Sequence, residues 1–266
     1  MNRLDIRERD IRREKVPPAC REMAVETFTL QRPEAELPLV GEAGFQETLD
    51  RYSGGRDEDG AVFPHHAAVM VAEPHNRYDR DAVAVYVCDE GGDAEQIGYL
   101  SQADAVAYGP VLRLVDPKLP MCLLTFHGGW DRGPADRRYH SASLNVGSPA
   151  EMAAEWLYDH HPPRGRHPWR GATVAFIGRS SCSIGGIRLD RAAQAFLARQ
   201  AGCSTEPHIG ASVRVCVVAD AGPRSSTSEA DHAEVRYARQ RGIQRLDERA
   251  FWSALGYDQL GGPSVA

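Results

Sequence analysis

Arg132, Arg137 and Arg138 crowd one short stretch that runs into Tyr139, and Arg164, Arg166 and Arg170 follow the run His160-His161-Pro162-Pro163. Guanidinium forks suit bidentate phosphate contacts, and an aromatic ring set among them offers a face on which a base can stack. That is the chemistry of single-strand binding, confined to a local surface. The alternative for both stretches is a solvated loop.

Residues with the types needed for catalysis fail on spacing. Lys15 and Lys118 are the only lysines and neither follows a glycine-rich run, so a P-loop is excluded. Gly178, Gly185 and Gly186 do not have the Gly-x-Gly-x-x-Gly spacing of a dinucleotide site. His232-Ala233-Glu234 imitates the opening of a zinc-deaminase motif but lacks the Pro-Cys-x-x-Cys partner. The pairs His65-His66 and His160-His161, even with His167, lack the i, i+4 geometry of a metal site. Asp57-Glu58-Asp59 sits among glycines and reads as solvated loop. The reading is therefore of no catalytic residue, no metal and no cofactor, with a nuclease built from spatially assembled carboxylates, or another small α/β enzyme, left open.

Composition bounds the rest. A chain of 266 residues, 42% hydrophobic and 26% charged, has room for two domains with separate cores. No apolar run reaches the length of a membrane span, and the charged start, residues 2 to 15, lacks the apolar stretch of a secretory signal. A cytoplasmic protein with no membrane partner is expected, nucleoid-associated if it binds DNA. Cys20, Cys88, Cys122, Cys182, Cys203 and Cys216 form no CxxC pair and read as buried hydrophobes. A net charge of −6 argues against a protein that coats nucleic acid over its whole surface, since the phosphate backbone rewards cations.

The elements that must position such residues follow from periodicity. Residues 1 to 36 read as a charged extension. From residue 37 the pattern is β: Ala67, Val69 and Val71 alternate, as do Val83, Val85 and Val87, and residues 96 to 100 offer a third strand. Ser101 caps a short helix over 102 to 108 that should end before Pro110. Strands follow at 121 to 126 and 139 to 146. Five or more short strands with one helix suggest a small barrel of the OB kind. Ser148-Pro149-Ala150-Glu151 is a capping box with proline at the first helical position, predicting a helix to about residue 158, which leads into a Pro/Arg linker. Beyond it strands and helices alternate. A strand lies at 173 to 177, Asp190 caps a helix that Gly202 closes, and a buried strand covers 213 to 219. A helix at 228 to 241, a strand at 243 to 246 and a helix capped by Asp247 complete a parallel sheet with helices on both faces.

The block Glu73-Pro74-His75-Asn76-Arg77-Tyr78-Asp79-Arg80-Asp81-Ala82-Val83-Ala84-Val85, followed by Ile97-Gly98-Tyr99-Leu100 and preceded by Val40-Gly41-Glu42, resembles the HIRAN family over residues 37 to 146. HIRAN domains are OB-like modules that accompany helicases and nucleases, and the family includes capture of the 3′ end of single-stranded DNA. The resemblance implies that Tyr78 stacks on a base, that Asp79 accepts a hydrogen bond from the terminal 3′-hydroxyl and that Asn76 helps to hold the end. Tyr99 and Phe45 would offer further stacking faces. The chain departs from the resemblance at Ala43 and Gly44, where the DNA-end-capturing family member carries an arginine and a tyrosine, and at Gln102, where that member carries a lysine. Two phosphate-binding cations are thus missing, which implies weaker binding. On the residues alone, Asn76 and Asp79 also fit a loop that turns on its own backbone, with Tyr78 covering the barrel end.

Residues 169 to 256 resemble a BRCT module, most closely the type that ends bacterial NAD-dependent DNA ligases. The matching pieces are Val174-Ala175-Phe176-Ile177-Gly178, Ala201-Gly202-Cys203, Val215-Cys216-Val217-Val218-Ala219, Arg241-Gly242-Ile243, Leu246-Asp247-Glu248 and Phe251-Trp252. BRCT modules bind phosphopeptides, other proteins or DNA. Phosphopeptide reading is not expected, because Ile177 stands where phosphate readers have Ser or Thr and the second helix has no lysine. Trp252 reads as core.

The expectation is an α+β chain: a charged extension (1–36), a HIRAN-like OB-type barrel (37–146), a capped helix and linker (147–168), a BRCT-like domain with a four-stranded parallel sheet (169–256) and a tail (257–266). Its expected function is non-catalytic. It binds single-stranded DNA or DNA ends through Phe45, Asn76, Tyr78, Asp79, Tyr99, Arg132, Arg137 and Arg138, and repair or replication proteins, or DNA, through the second domain. The alternative is a protein-interaction scaffold without direct DNA binding.

Overall fold

The computed structural model describes residues 25–28, 36–55, 65–88, 94–130, 138–163, 167–219 and 229–260. The chain divides into two compact units, residues 1–147 and 148–266. Together they make a mixed α+β protein, with an antiparallel-dominated sheet in the first unit and a parallel sheet in the second. No helix among the described residues is long and apolar enough to cross a membrane.

In the first unit the strands are β1 (Val25–Thr27), β2 (Leu37–Pro38), β3 (His65–Ala72), β4 (Val83–Cys88), β5 (Ala94–Tyr99), β6 (Leu119–Gly128) and β7 (His140–Asn145), with helices α1 (Gln46–Tyr52) and α2 (Gln102–Val115). They form one curled sheet in the order β2-β7-β6-β3-β4-β5, with β1 added in parallel to β6. The register explains how both sheet faces are buried. Met70 lies opposite Val85, and Ala68 opposite Val87, so these residues share one face with Leu124 and Leu144. Val69, Cys88, Leu119 and Met121 form a separate cluster on the other face, flanked by Ala67, Val71 and Tyr86. The alternating valines of β3 and β4 read in the sequence as one pattern, yet they face opposite sides of the sheet.

Three features differ from the sequence expectation. The segment assigned to a charged extension contributes β1, where buried Glu26 pairs with Lys118 Nζ at 2.7 Å and Phe28 is also buried. Helix α2 runs through Pro110 instead of ending before it. Proline removes one helical hydrogen bond, whose acceptor belongs to Val106 on the exposed side, while Val111, Leu112 and Val115 beyond it are buried and hold the helix on course. Helix α1, not anticipated, lies beside both β5 and β7. There the side-chain amide of Gln46 pairs with both main-chain groups of His140, donating to its oxygen at 2.9 Å and accepting from its N–H at 3.1 Å. The Glu42 carboxylate likewise accepts from the N–H of Ala142. Two side chains thus satisfy the N–H groups of His140 and Ala142 on the part of the β7 edge that the short β2 does not reach.

The second unit begins with α3 (Pro149–His160), whose capping box is present, with the Ser148 hydroxyl accepting from Glu151 N–H at 3.2 Å. The sequence placed this helix in the connecting segment; it packs instead on α4 (Arg191–Gln200), with Tyr158 edge-on to Phe196. Strands β8 (Thr173–Ile177), β11 (Ser204–Glu206), β12 (Val215–Val218) and β13 (Gln244–Asp247) form a four-stranded parallel sheet in the order β11-β8-β12-β13. A small hairpin, β9 (Ser183–Ile184) with β10 (Ile187–Arg188), precedes α4. Helices α5 (Glu229–Gln240) and α6 (Glu248–Ala254) complete the unit. Trp252, 1% exposed, stacks on Phe176 at 5.5 Å and meets Phe251 edge-on at 5.0 Å.

Candidate nucleic-acid interface

Ala72, the last residue of β3, lies opposite Val83, the first of β4, and the connection between them carries Asn76, Tyr78 and Asp79. The Glu73 N–H donates to Ala82 O at 2.9 Å, closing the loop at its base. Asn76 organises the rest. Its Nδ2 donates to Glu73 Oε2 at 2.8 Å, and its Oδ1 accepts from the N–H groups of Tyr78 at 3.0 Å and Asp79 at 3.3 Å. Both polar ends of Asn76 are therefore spent inside the loop. Asp79 Oδ1 accepts from Asp81 N–H at 2.9 Å, and Oδ2 makes no hydrogen bond with another described residue. These are Asx turns, in which short polar side chains stand in for backbone partners. They hold Tyr78 outward, 82% exposed. The Arg77 guanidinium lies 4.5 Å over the Tyr78 ring centre and donates to its hydroxyl.

Tyr99 and Phe45 belong to the same end of the sheet. Tyr99 is opposite Ala84, next to the start of β4, and it is bridged to Val40. Gly41, at φ 78°, turns the chain from that bridge into a single 3-10 turn, Glu42–Phe45. The turn brings Phe45 to 6.5 Å from Tyr99, ring centre to ring centre, with the planes inclined at 57°. Both rings are half-buried, at the end of the sheet from which the Tyr78 loop leaves.

Arg138 is elsewhere. The β6–β7 connection begins after Gly128, opposite His140, and β6 runs antiparallel to β3, so this hairpin lies at the end of the sheet where β3 starts. The Tyr78 loop leaves from the other end of β3. Arg138 Cζ lies 5.1 Å over the Trp130 ring, and neighbouring Tyr139 is 70% exposed. The structure thus separates Arg138 from Phe45, Tyr78, Asp79 and Tyr99. Arg132 and Arg137, like Arg164 and Arg166, lie outside the described residues.

No protein-family model matches this chain, and no curated protein matches it.

Several groupings were invisible in the sequence. Ser53 Oγ and Asp50 Oδ1 both approach His140 Nε2 at 3.1 Å, with Ser53 fully buried. Ser143 Oγ and Glu36 Oε2 likewise share His127 Nε2, at 2.7 and 2.8 Å. In a nucleophilic triad the serine and the orienting carboxylate occupy opposite ring nitrogens. Here each pair competes for one, so both clusters are structural ties. No group of three or more metal-binding side chains occurs among the described residues. In the second unit, Gly178, Arg179, Ser180, Arg188 and Arg191 line a concave surface at the start of α4, where Arg191 donates to Gly178 O at 3.2 Å. Burial lowers the affinity of the Arg191 guanidinium for its proton, against the pull of Asp231, Glu234 and Glu248.

Proposed function

We propose that this chain is a non-catalytic DNA-binding accessory protein of DNA repair or replication, with a HIRAN-like, OB-type first unit and a BRCT-like second unit. The first unit holds a single strand at the Tyr78 loop, with Asp79 positioned to accept a hydrogen bond from a terminal 3′-hydroxyl. The second unit engages a partner protein or DNA. The observation that carries this reading is the Tyr78 side chain, held in solvent by a loop in which Asn76 bonds to Glu73 and to the N–H groups of Tyr78 and Asp79. An aromatic this exposed contributes nothing to a core; stacking on a base, which requires no particular sequence, gives it about 1 to 3 kcal/mol. The joined sheet edges at Val40 and Tyr99 support an OB-type barrel. The parallel order of the second sheet, with its first strand between the second and third, supports the BRCT-like reading.

The test is fluorescence anisotropy with the full chain and a single-stranded oligonucleotide of about a dozen nucleotides, within the span one OB-type unit covers. Binding that weakens as salt rises is expected; a folded chain that shows no binding at low salt overturns the reading. The net charge of −6 favours a second reading, a protein-interaction scaffold without DNA contact, and the same outcome would select it.

A further inference from the structure

We infer that helix α5 is a self-association surface on which a second copy of this chain docks antiparallel, with Tyr237 at the two-fold axis. The inference stands apart from the DNA reading and concerns the second unit alone. Packing settles the inner side of α5, where Ala238 is buried and Val235 half-buried against Ile177 and Cys216. The opposite side is open. There Ala233, Tyr237 and Gln240, spaced four and three residues apart, form one stripe, which lines a groove with Ile209, Glu234 and Arg236. Tyr237 is 37% exposed, and the Arg241 guanidinium lies 5.4 Å over its ring. Arg236 and Arg239 are exposed and make no hydrogen bond or ion pair with another described residue.

The charges along the helix select the occupant. Asp231 and Glu234 lie in its first half, and Arg236, Arg239 and Arg241 in its second half and at its end, where the Arg241 N–H still donates to Tyr237 O at 3.1 Å. A uniformly acidic or uniformly basic partner is attracted at one end of this surface and repelled at the other. A second copy laid parallel sets like charges side by side. Laid antiparallel, it meets an opposite charge at both ends, as a two-fold interface requires of a self-complementary patch. The register follows from the spacing. Ala233 and Gln240, and likewise Glu234 and Arg241, are seven residues apart, about two turns of helix, so each pair keeps to one flank. With Tyr237 midway and on the axis, Glu234 of one copy comes beside Gln240 and Arg241 of the other, and the two Tyr237 rings meet at the centre. Glu234 Oε1 lies 3.1 Å from Nδ1 of the exposed His208, which leaves Oε2 for the arginine. Charges at the rim of such an interface set its orientation, and the aromatic at its centre carries its strength.

Sedimentation equilibrium of the full chain over a series of concentrations reads the association. The average mass should rise from one chain toward two as the concentration increases, and less so at high salt, as a small, charge-matched interface of the transient class predicts. Tyr237→Ala should weaken the dimer by about tenfold or more, the loss of a central aromatic anchor. Glu234→Arg and Arg241→Glu form a complementary pair of variants. Alone, each sets like charges against one another across the axis and should stay monomeric. Mixed in equal amounts, they set an acidic helix end against a basic one at both ends of the interface and should dimerise at least as well as the native chain. A variant that had merely unfolded would not be rescued by the other. A native chain that stays monomeric at every concentration overturns the inference, and so does a mixture that stays monomeric. A dimer that Tyr237→Ala and both charge variants form as readily as the native chain also overturns it, because the contact then lies elsewhere.

Discussion

Val40 and Tyr99 exchange both of their main-chain hydrogen bonds, Val40 N–H to Tyr99 O at 2.8 Å and Tyr99 N–H to Val40 O at 3.0 Å, and so tie the chain after β2 to β5 at the far end of the strand order. The approach is close enough to require glycine beside it: a Cβ on Gly98 would lie 3.0 Å from Val40 O and 3.3 Å from Leu39 Cβ. Gly98→Ala should therefore push the seam apart and cost about 1 to 3 kcal/mol, the range for overpacking a fitted interior. Equilibrium denaturation of the full chain measures it. An unchanged stability would mean that the bridge is not a fixed contact.

Glu42, on the turn that follows Val40, gives the contact of that turn with β7 a pH dependence. Burial raises its carboxyl above the usual 4.5, opposed by the Ala142 N–H it accepts and by the charge of His127. A carboxyl whose folded pKa is raised contributes stability that is complete below the unfolded value and lost as the pH rises through the folded one. Glu42→Gln keeps an oxygen for the Ala142 N–H and removes the buried charge. The variant should equal or exceed the native chain in stability at pH 7, and its advantage should disappear as the pH falls toward 4.5. A variant that is less stable at pH 7 than at acid pH, relative to the native chain, contradicts this account.

Cys122, Cys182, Cys203 and Cys216 are free, buried thiols. Burial pushes the Cys122 and Cys182 thiols up to about 12 and those of Cys203 and Cys216 up to about 11. The thiolate is the reactive form, so these four should not react with a disulfide reagent at pH 8 until the chain unfolds. Their rapid modification in the folded chain would show that the cores open readily.

In the second unit the Glu248 carboxylate is wholly buried and gathers Ser180 Oγ, Ser181 N–H at 2.8 Å, Ser181 Oγ at 3.0 Å and Gln194 Nε2 at 2.7 Å. It fixes the loop that carries Arg179 to the start of α6. Glu248→Ala leaves these donors without an acceptor, and each unsatisfied buried group costs about 1 to 3 kcal/mol. A loss of about 3 kcal/mol or more is expected in the unfolding of the second unit, by circular dichroism against denaturant. A change below 1 kcal/mol would place water, not protein, as the partner of these groups.

Much of the second unit was legible because its signals are local. Asp190 and Asp247 cap α4 and α6 as read, accepting from Ala193 N–H at 2.8 Å and Ala250 N–H at 3.0 Å. The β8 and β12 runs are short and apolar, as buried parallel strands are. In the first unit the missed elements rest on distant partners. β1 is held by Lys118 and β6, and α1 by the main chain of His140 and by Glu95. Neither has an apolar period of its own. At the candidate site, the sequence singled out Tyr78 and Asp79 and their aromatic neighbours at the same sheet end. It could not show that the β6–β7 hairpin carrying Arg138 leaves the sheet at the other end, because that depends on register. Nor could it show that Arg77 covers Tyr78, since adjacent residues meet face to face only when a turn folds one back on the other.

The central claim is that Tyr78 stacks on the base at a strand end while Asp79 reads its hydroxyl, and the most direct measurement compares native chain, Tyr78→Ala and Asp79→Ala on one oligonucleotide with a free or a phosphorylated 3′ end. The native chain should prefer the free end. Tyr78→Ala should weaken binding to both forms by roughly tenfold, the loss of one stacked base. Asp79→Ala should keep binding to the phosphorylated form and lose the difference between the two. If Tyr78→Ala binds both oligonucleotides as tightly as the native chain does, the exposed ring does not hold DNA and the account is wrong.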